Sequence, residues 1–528
     1  MLQWRTFWTI GLAGLITLPI FIILFQLLGP ATDTWTHLRS TVLSDYLWNT
    51  FYLLIGCAAL TSILGISAAW LVSTFEFPGR RVIEWLLVLP LAIPTYIVAF
   101  AYVGLLDYTG PIQTFTRNTL KWRTDALIPF DIMSLGGAIL VISLVLYPYV
   151  YLIVRASFMR QSRAMLEASW TLGQRSWRTF FRVALPAIRP AWIGGVSLVI
   201  MEVLNDYGAV KYYGIPTFTT GIFRAWFSMG DLTAAIRLSA FLLFFVGILL
   251  ALEYWQRREK SFANSVRERP LARMKLKGGK LGLAYLILAI PIVLGFVLPN
   301  LQLLLWAARN GQSFDLIEFS DTLQNSLLVA LMTAAIAVLI AFLLGFSRQE
   351  GLPKVGRWLG RMATLGYVIP GAVIAIGVMT GLGYVQQWES LKGILLVGSL
   401  GALVYACLVR FLAVAANAVD AGYEQINPRL RQVSSVLGAK AWRRLWSIDR
   451  PLLNASLLAA LMLVLVDVMK ELPLTLIMRP FNFDTLATKA FELAHDEQLE
   501  VAAVYALTIV LVSLGPIIWL NRLMENKQ

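Results

Sequence analysis

Twelve apolar runs dominate this chain of 528 residues, and each is close to the roughly 20 residues that an α-helix needs to cross a bilayer. Hydrophobic residues make up 58% of the sequence and charged residues only 14%, whereas soluble domains carry about a quarter of charged residues. The sequence therefore predicts an all-α membrane protein. The runs lie near residues 7–28, 49–73, 83–106, 134–154, 190–210, 234–254, 281–307, 323–346, 361–383, 393–413, 452–472 and 500–521.

A basic segment at 255–280 divides these runs into two sets of six. It holds nine Lys and Arg against two Glu, so the positive-inside rule predicts that it is cytoplasmic. Because each set has an even number of spans, both termini are predicted to be cytoplasmic as well. A basic loop can also bind nucleic acid, but a loop beside a membrane needs no such partner, and none is predicted. We predict a first half at 1–254, a linker at 255–280 and a second half at 281–528.

The two predicted halves repeat each other. At an offset of 265 residues Glu202 aligns with Asp467, and Asp206 aligns with Glu471. Earlier in each half the offset is 276, which places 11 extra residues in the first half, most simply within 107–133. Duplicated features of this kind predict two pseudo-symmetric halves with a pathway near their common axis.

The four aligned acids are the candidate site residues. Within each pair the acids are four residues apart in an apolar run, so we expect both to share one helix face. A charge at mid-bilayer costs ~2.5–3.5 kcal/mol on insertion scales, so each acid must be paired, protonated or near water. Hard cations prefer oxygen ligands, and the four acids are therefore predicted to line a transient metal-cation path. Buried salt bridges or hydrogen bonds to loop backbone are the alternative. The four acids are Glu202, Asp206, Asp467 and Glu471.

Each half also carries one long loop that is predicted to be cytoplasmic, at Arg155–Arg189 and at Arg410–Arg450. In the first loop the pattern predicts a short helix that ends at Gly173, followed by a helical stretch that ends at Pro186. An amphipathic helix here can rest on the lipid surface or dock a partner. Its repetition in both halves favours docking.

The first loop resembles the signature of ATP-binding-cassette importer permeases, in which Glu-Ala-Ala is followed at fixed spacing by Gly and by Ile-x-Leu-Pro. The second loop is a degraded copy, with Gln432-Val433-Ser434 in place of Glu-Ala-Ala and Arg450 in place of Leu. The resemblance implies a coupling helix that contacts an ATPase subunit. The matching positions are Glu167, Ala168, Ser169, Gly173, Val183, Leu185 and Pro186 in the first loop, and Gly438, Ile448 and Pro451 in the second.

Over its whole length the chain resembles the fused ferric-iron importer permeases, through segments such as 205–208, 218–222 and 467–473. The resemblance implies the type I ABC importer permease fold, a bacterial inner-membrane location and ferric iron as substrate. The implied partners are a periplasmic iron-binding protein and a cytoplasmic ABC ATPase dimer that holds ATP and Mg, while this chain binds no cofactor. Fused permeases for thiamine, a phosphonate or a polyamine are similar alternatives.

Two other classes of protein are weighed against this reading. An ion-gradient secondary transporter would use the same acids to carry protons. An enzyme is disfavoured because no cluster of His, Asp and Glu and no nucleophile–base pair is recognisable. The glycine-rich segment 351–358 lacks the Lys-Ser/Thr of a phosphate loop, so the energy is expected to come from a separate subunit.

Overall fold

The structure is a computed structural model that describes residues 2–120, 131–159, 169, 171, 176–258, 273–309, 314–349, 366–388 and 395–525. Nearly all of its regular structure is helical. In the first part of the chain the helices are α1 Leu2–Gln26, α2 Asp33–Thr41, α3 Leu43–Thr74, α4 Arg80–Leu86, α5 Thr95–Leu106, α6 Pro111–Leu120, α7 Leu135–Met159, α8 Ser176–Thr179, α9 Leu185–Ala187, α10 Arg189–Asn205, α11 Gly208–Tyr212, α12 Phe218–Phe223 and α13 Leu232–Arg258.

The helices of the later part of the chain are α14 Gly279–Ile292, α15 Leu298–Arg309, α16 Leu316–Gln349, α17 Gly371–Gln386, α18 Leu400–Gln425, α19 Pro428–Val436, α20 Ala441–Arg444, α21 Arg450–Lys470, α22 Pro473–Met478, α23 Leu486–His495 and α24 Leu499–Glu525. Short 3₁₀ turns lie at Leu89–Ala92 and Gly366–Val368. π-Helical turns lie at Phe180–Ala184, Arg224–Ser228, Val293–Val297 and Leu445–Asp449. A two-residue parallel pairing joins β1 Phe75–Glu76 to β2 Met274–Lys275.

The apolar helices correspond to the twelve predicted runs. Within the described residues, eight helices are long and apolar enough to cross a membrane, two bent helix pairs pass the same test together, and Ile10–Gln26 and Gly371–Gln386 are shorter apolar helices. The bent pairs are Arg80–Ala92 with Thr95–Thr119, at 94°, and Phe180–Ala187 with Arg189–Asn205, at 66°. The predicted all-α membrane fold with about twelve spans in two pseudo-symmetric halves is confirmed.

Proline explains the sharper of the two bends. Pro94 immediately precedes α5 and holds φ −59° and ψ 145°, while Ile93 before it is extended at φ −104° and ψ 126°. Proline has no N–H to continue a helix and pushes the residue before it towards extended backbone. Pro370 precedes α17 with nearly the same backbone, at φ −56° and ψ 139°. Both halves therefore restart a helix at the matching residue.

Other landmarks recur at the predicted offset of 265 residues. The π-turn Phe180–Ala184 matches the π-turn Leu445–Asp449 residue for residue. The starts of α7 and α18 match, and so do the ends of α10 and α21. The two copies therefore share their local geometry as well as their sequence pattern.

The chain forms two compact units. One comprises Met1–Leu38, Ile222–Phe241 and Gly311–Gln528, and the other comprises Arg39–Gly221 and Leu242–Asn310. The first span of each predicted half thus packs in the unit that the other half mainly builds. The division into halves at 255–280, which is a division of the sequence, stays a prediction.

In the first of these units, α1 is held at its proline. Pro19 lacks the N–H that would bond to the carbonyl of Leu15, and the hydroxyl of Tyr405 on α18 donates to that carbonyl instead. Gly377 on α17 allows the close approach, because a Cβ there would lie 2.6 Å from the carbonyl oxygen of Pro19. Backbone that proline frees inside the membrane is thereby satisfied by a neighbouring helix.

The other unit uses the same device. The Leu298 N–H bonds back to Val293 in the π-turn and Pro299 has no N–H, so the carbonyl of Leu294 lacks a donor in its own helix. The hydroxyl of Tyr102 on α5 donates to that carbonyl at 2.7 Å. In each unit, a tyrosine from one predicted half therefore anchors the first span of the other half.

Candidate functional site

Asp206 lies where α10 ends. The helix stops at Asn205, and Asp206 is extended, with φ −66° and ψ 119°. Its side chain is 7% exposed, and Oδ1 accepts a hydrogen bond from the backbone N–H of Ala209 at 2.9 Å. The side chain of Thr95, the first residue of α5, also hydrogen bonds to this carboxylate. The carboxylate therefore caps the short helix that follows the break.

Glu471 occupies the same position in the second half. The helix α21 stops at Lys470, and Glu471 adopts φ −70° and ψ 119°. Its Oε1 accepts from the backbone N–H of Leu474 at 3.1 Å, three residues on, as Asp206 does with Ala209. The expectation that both acids of each pair share a continuous helix face is wrong for these two. The span helix ends one residue before each of them, and the carboxylate bonds to the backbone beyond.

The capping role has a simple physical reason. A helix begins with N–H groups that have no partner inside the helix, and buried groups of this kind need an acceptor. A carboxylate supplies one, and its negative charge is favourable near the positive end of a helix dipole. Asp206 also lies beside the first residue of α5, which follows Pro94, and Glu471 lies beside the first residue of α17, which follows Pro370. In each half, the break in one span therefore contacts the break in another.

Arg410 lies at this site, although it was not among the site residues predicted from the sequence. We expected it to open a cytoplasmic loop, but α18 continues to Gln425 and Arg410 lies in its interior, 3% exposed. Its Nη1 is 3.4 Å from Oε1 of Glu471. The hydropathy run stopped at the arginine because a charge interrupts the apolar pattern, although the helix does not stop there. An acid four residues past Asp467 was the signal that a buried base was needed.

Gly371 gives Arg410 the room to reach Glu471. A Cβ on Gly371 would lie 2.4 Å from Nη1 of Arg410 and 2.6 Å from Oε1 of Glu471. Both distances are far below ordinary van der Waals contact. The glycine is therefore required by the ion pair rather than by its own backbone.

The other two acids remain on their helices. Asp467 on α21 pairs with Lys470 at 3.5 Å, and both side chains are about a fifth exposed, at 23% and 21%. Glu202 on α10 is half-buried. Among the described residues, no three His, Cys, Asp or Glu side chains gather into a group that could hold a metal ion. The acids are thus placed at or beside span ends, two of them against basic side chains.

The first signature loop is described only in part. Glu167, Ala168 and Gly173 lie outside the described residues. Leu185 and Pro186 form part of α9, directly after the π-turn Phe180–Ala184, and both are half-buried. Their assigned role in coupling stays a prediction.

In the second loop, Gly438 ends α19 as a helix stop. It adopts φ +76°, a conformation that glycine reaches without strain, and the N–H of Ala439 bonds to the carbonyl of Ser434 at 3.0 Å. This 6→1 bond is the Schellman motif. Pro451, also assigned to coupling, lies in the first turn of α21 and is exposed.

An apolar surface, here the α19 patch, surrounds Gly438. Val433, Val436, Leu437 and Trp442 are 57%, 87%, 79% and 67% exposed. Exposed apolar patches of this kind often mark contact sites.

Residues 61–258 match the family described as "Binding-protein-dependent transport system inner membrane component". This match covers rather more than a third of the chain. Together with the apolar helices of the described residues, it supports the type I permease fold in a multi-pass protein of the inner membrane. The repeat resembles a fusion of two permease halves.

Among its relatives, the chain resembles the Fe(3+)-transport system permease protein FbpB 2 of Haemophilus influenzae, with 26% identity over 98% of both chains. The predicted resemblance to fused ferric-iron permeases is thereby confirmed. The sulfate transport system permease protein CysW of Escherichia coli (strain K12) is 26% identical over 40% of this chain and 72% of its own length. A crystal structure of a bacterial ABC transporter involved in the import of the acidic polysaccharide alginate matches 46% of this chain and 96% of its own, at 15% identity and a TM-score of 0.34.

Proposed function

We propose that this permease imports ferric iron, which it receives from an iron-binding protein on the outer side of the membrane. A separate cytoplasmic ATPase dimer, which holds ATP and Mg²⁺, drives alternating access of the permease. The observation that carries the proposal is the duplicated carboxylate at the end of a broken span, at Asp206 and Glu471. The ferric-iron relative, which matches over 98% of both chains, supports the choice of cation.

The same carboxylates argue against an anionic substrate. Permeases that bind anions use the free N–H groups at the ends of broken helices as the anion site. Here the N–H groups of Ala209 and Leu474 are already bonded to the protein's own carboxylates. A sulfate or phosphonate ion at Asp206 would meet a like charge, and one at Glu471 would compete with the protein's own carboxylate for Arg410. We infer that these breaks mark the route of a cation, for which transient contact with carboxylate oxygen is favourable.

Coupling to the ATPase is proposed at the two signature loops. The α19 patch presents exposed apolar side chains next to the helix stop at Gly438, which suits a surface that contacts the ATPase. In the first loop the proposal rests on the sequence signature of Glu167, Ala168 and Gly173. No ATP-binding motif is recognisable in the sequence, so the permease is proposed to be without enzymatic activity of its own.

Both termini and the linker 255–280 are proposed to be cytoplasmic, from the distribution of Lys and Arg. The two native cysteines, Cys57 and Cys407, are buried and free, so labelling of introduced cysteines has a low background. In intact cells, a membrane-impermeant maleimide should label a cysteine introduced within 211–233 but not one within 255–280. Labelling of the linker would reverse this topology.

The deciding experiment is uptake of radioactive ferric iron by proteoliposomes that contain the permease, its ATPase and the iron-loaded binding protein. We expect uptake that requires ATP and is unaffected by excess thiamine, phosphonate, polyamine or sulfate. Competition by one of these compounds, without iron uptake, would assign the permease to that substrate. Uptake that follows an imposed proton gradient without ATP would instead indicate a secondary transporter.

A further inference from the structure

The surroundings of the two span-end carboxylates differ between the halves in a concerted way. At the offset of 265, Arg410 aligns with Val145 and Lys470 aligns with Asn205. At the offset of 276, Gly371 aligns with Thr95. Two bases of the second half are thus replaced by uncharged residues in the first half.

In the second half the carboxylate charge is balanced. The guanidinium of Arg410 lies 3.4 Å from Glu471, and both side chains are at most 5% exposed. The ion pair crosses the position where Gly371 has no side chain. On the preceding turn Asp467 is balanced by Lys470 at 3.5 Å. The charges of these two ion pairs sum to zero.

In the first half the corresponding carboxylate is held by neutral groups. The hydrogen-bonding side chain of Thr95 stands where the second half has Gly371, and the Ala209 N–H is the counterpart of the Leu474 N–H. Among the described residues, no Lys or Arg forms an ion pair with Asp206, which is 7% exposed. Neutral donors stabilise a carboxylate without cancelling its charge.

We propose that Arg410 is a positioning residue that fixes and neutralises Glu471, and that Asp206 is the span-end carboxylate whose charge meets the transported cation. The two half-sites then differ in role. The site of Glu471 and Arg410, here called the lock, stabilises the fold, and the site of Asp206, here called the guide, attracts the cation. This inference rests on the proposed import of a cation and specifies which half acts on it.

The first part of the test concerns the lock. The full chain is purified in detergent and its Tm is measured for Arg410→Val and for the exchange variant Gly371→Thr/Arg410→Val/Glu471→Asp, which copies the residues of the first half. We expect Arg410→Val to lower the Tm because it strands a buried carboxylate. The exchange variant should recover roughly half of that loss or more, since these contacting residues are coupled. An exchange variant as unstable as Arg410→Val would overturn the lock.

The second part concerns the guide. In proteoliposomes with the ATPase and the iron-loaded binding protein, iron flux and ATP hydrolysis are measured together, per folded permease. We expect Asp206→Asn to keep its Tm, because the amide oxygen still accepts from Ala209, and to lose about tenfold in iron moved per ATP. Glu471→Gln should lower the Tm, and its loss of iron moved per ATP should be at least about threefold smaller than that of Asp206→Asn. Loss of folded permease lowers iron flux and ATP hydrolysis together, so their ratio reports on the permease that remains folded.

The outcomes separate this inference from the function on which it rests. Absence of iron uptake by the unaltered permease would refute the proposed function. Normal uptake by the unaltered permease, with an unchanged ratio of iron to ATP in Asp206→Asn, would refute only the unequal roles. Equal losses of that ratio in Asp206→Asn and Glu471→Gln would also refute them, because both carboxylates would then meet the cation.

Discussion

Replacing Gly371 with alanine tests the tightest contact at the second span-end carboxylate. The new Cβ would lie 2.4 Å from Nη1 of Arg410, 2.6 Å from Oε1 of Glu471 and 3.1 Å from Cβ of Leu474. The methyl group fits only if the buried ends of the Arg410 and Glu471 side chains move. Overpacking a buried site costs about 1–3 kcal/mol, and loss of one partner of a buried ion pair costs about 3–5 kcal/mol. Because alanine displaces the pair without removing either charge, we expect a loss of stability of about 3 kcal/mol.

The assay is thermal unfolding of the purified full chain in detergent, with Gly383→Ala as the matched control. Gly383 lies on the same helix, α17, and a Cβ there would meet no heavy atom within 4 Å. Alanine is the better helix former by about 0.5–1 kcal/mol, so the control should keep or raise the Tm. Equal melting of Gly371→Ala and Gly383→Ala would show that the ion pair does not fill the space beside Gly371. That result would also remove the steric basis for the unequal halves.

Three further perturbations have expected outcomes of their own. Tyr405→Phe removes the donor to the carbonyl of Leu15 and should lower the stability by about 1 kcal/mol, measured as a fall in the Tm. Gly438→Ala places a Cβ at φ +76° and should cost about 1 kcal/mol and weaken pull-down of the ATPase, whereas unchanged pull-down would show that the α19 stop does not support docking. Hydrogen bonds to Thr32 and neighbouring groups outweigh burial and lower the pKa of Asp231 from its usual 3.8. A lowered pKa stabilises the folded state above the unfolded value, so this contribution should be complete above about pH 5, fade as the pH falls below 3.8, and be absent at every pH in Asp231→Asn.

The spans and the repeat could be predicted from the sequence because they depend on hydropathy and on self-similarity alone. Where a span breaks depends on the tertiary contacts that can satisfy its backbone, and periodicity does not report these contacts. Asp206 therefore looked like a residue on a helix face, although the hydrogen bond from Ala209 places it beyond the end of α10. Asn205 and Gly208 on either side of it, both poor helix formers, were the local signal for the break.

Arg410 shows the opposite limitation. A charged residue at the edge of an apolar run normally marks the membrane boundary. That rule placed the predicted end of α18 more than a helical turn too early in the sequence. The rule fails where a buried acid elsewhere in the fold supplies the counter-charge, and that acid, Glu471, is 61 residues away in sequence. The pairing can be predicted only when aligned residues of the two halves are compared. Where the second half has Gly371 and Arg410, the first half has Thr95 and Val145.

The span breaks also explain why a membrane protein keeps acids at these positions whether or not a cation touches them. A broken helix leaves N–H groups that hydrocarbon cannot satisfy, and a carboxylate at the break satisfies them. Capping alone therefore accounts for one acceptor oxygen in each half, and it accounts equally for Asp206 and Glu471. Capping does not require that the net charge around Asp206 differ from the net charge around Glu471. Only the second half adds Arg410, together with the glycine that gives it room. If capping were the whole purpose, the same arrangement would serve both halves. Among the described residues Asp206 has no basic partner while Glu471 has one, and this difference agrees with the proposed cation route.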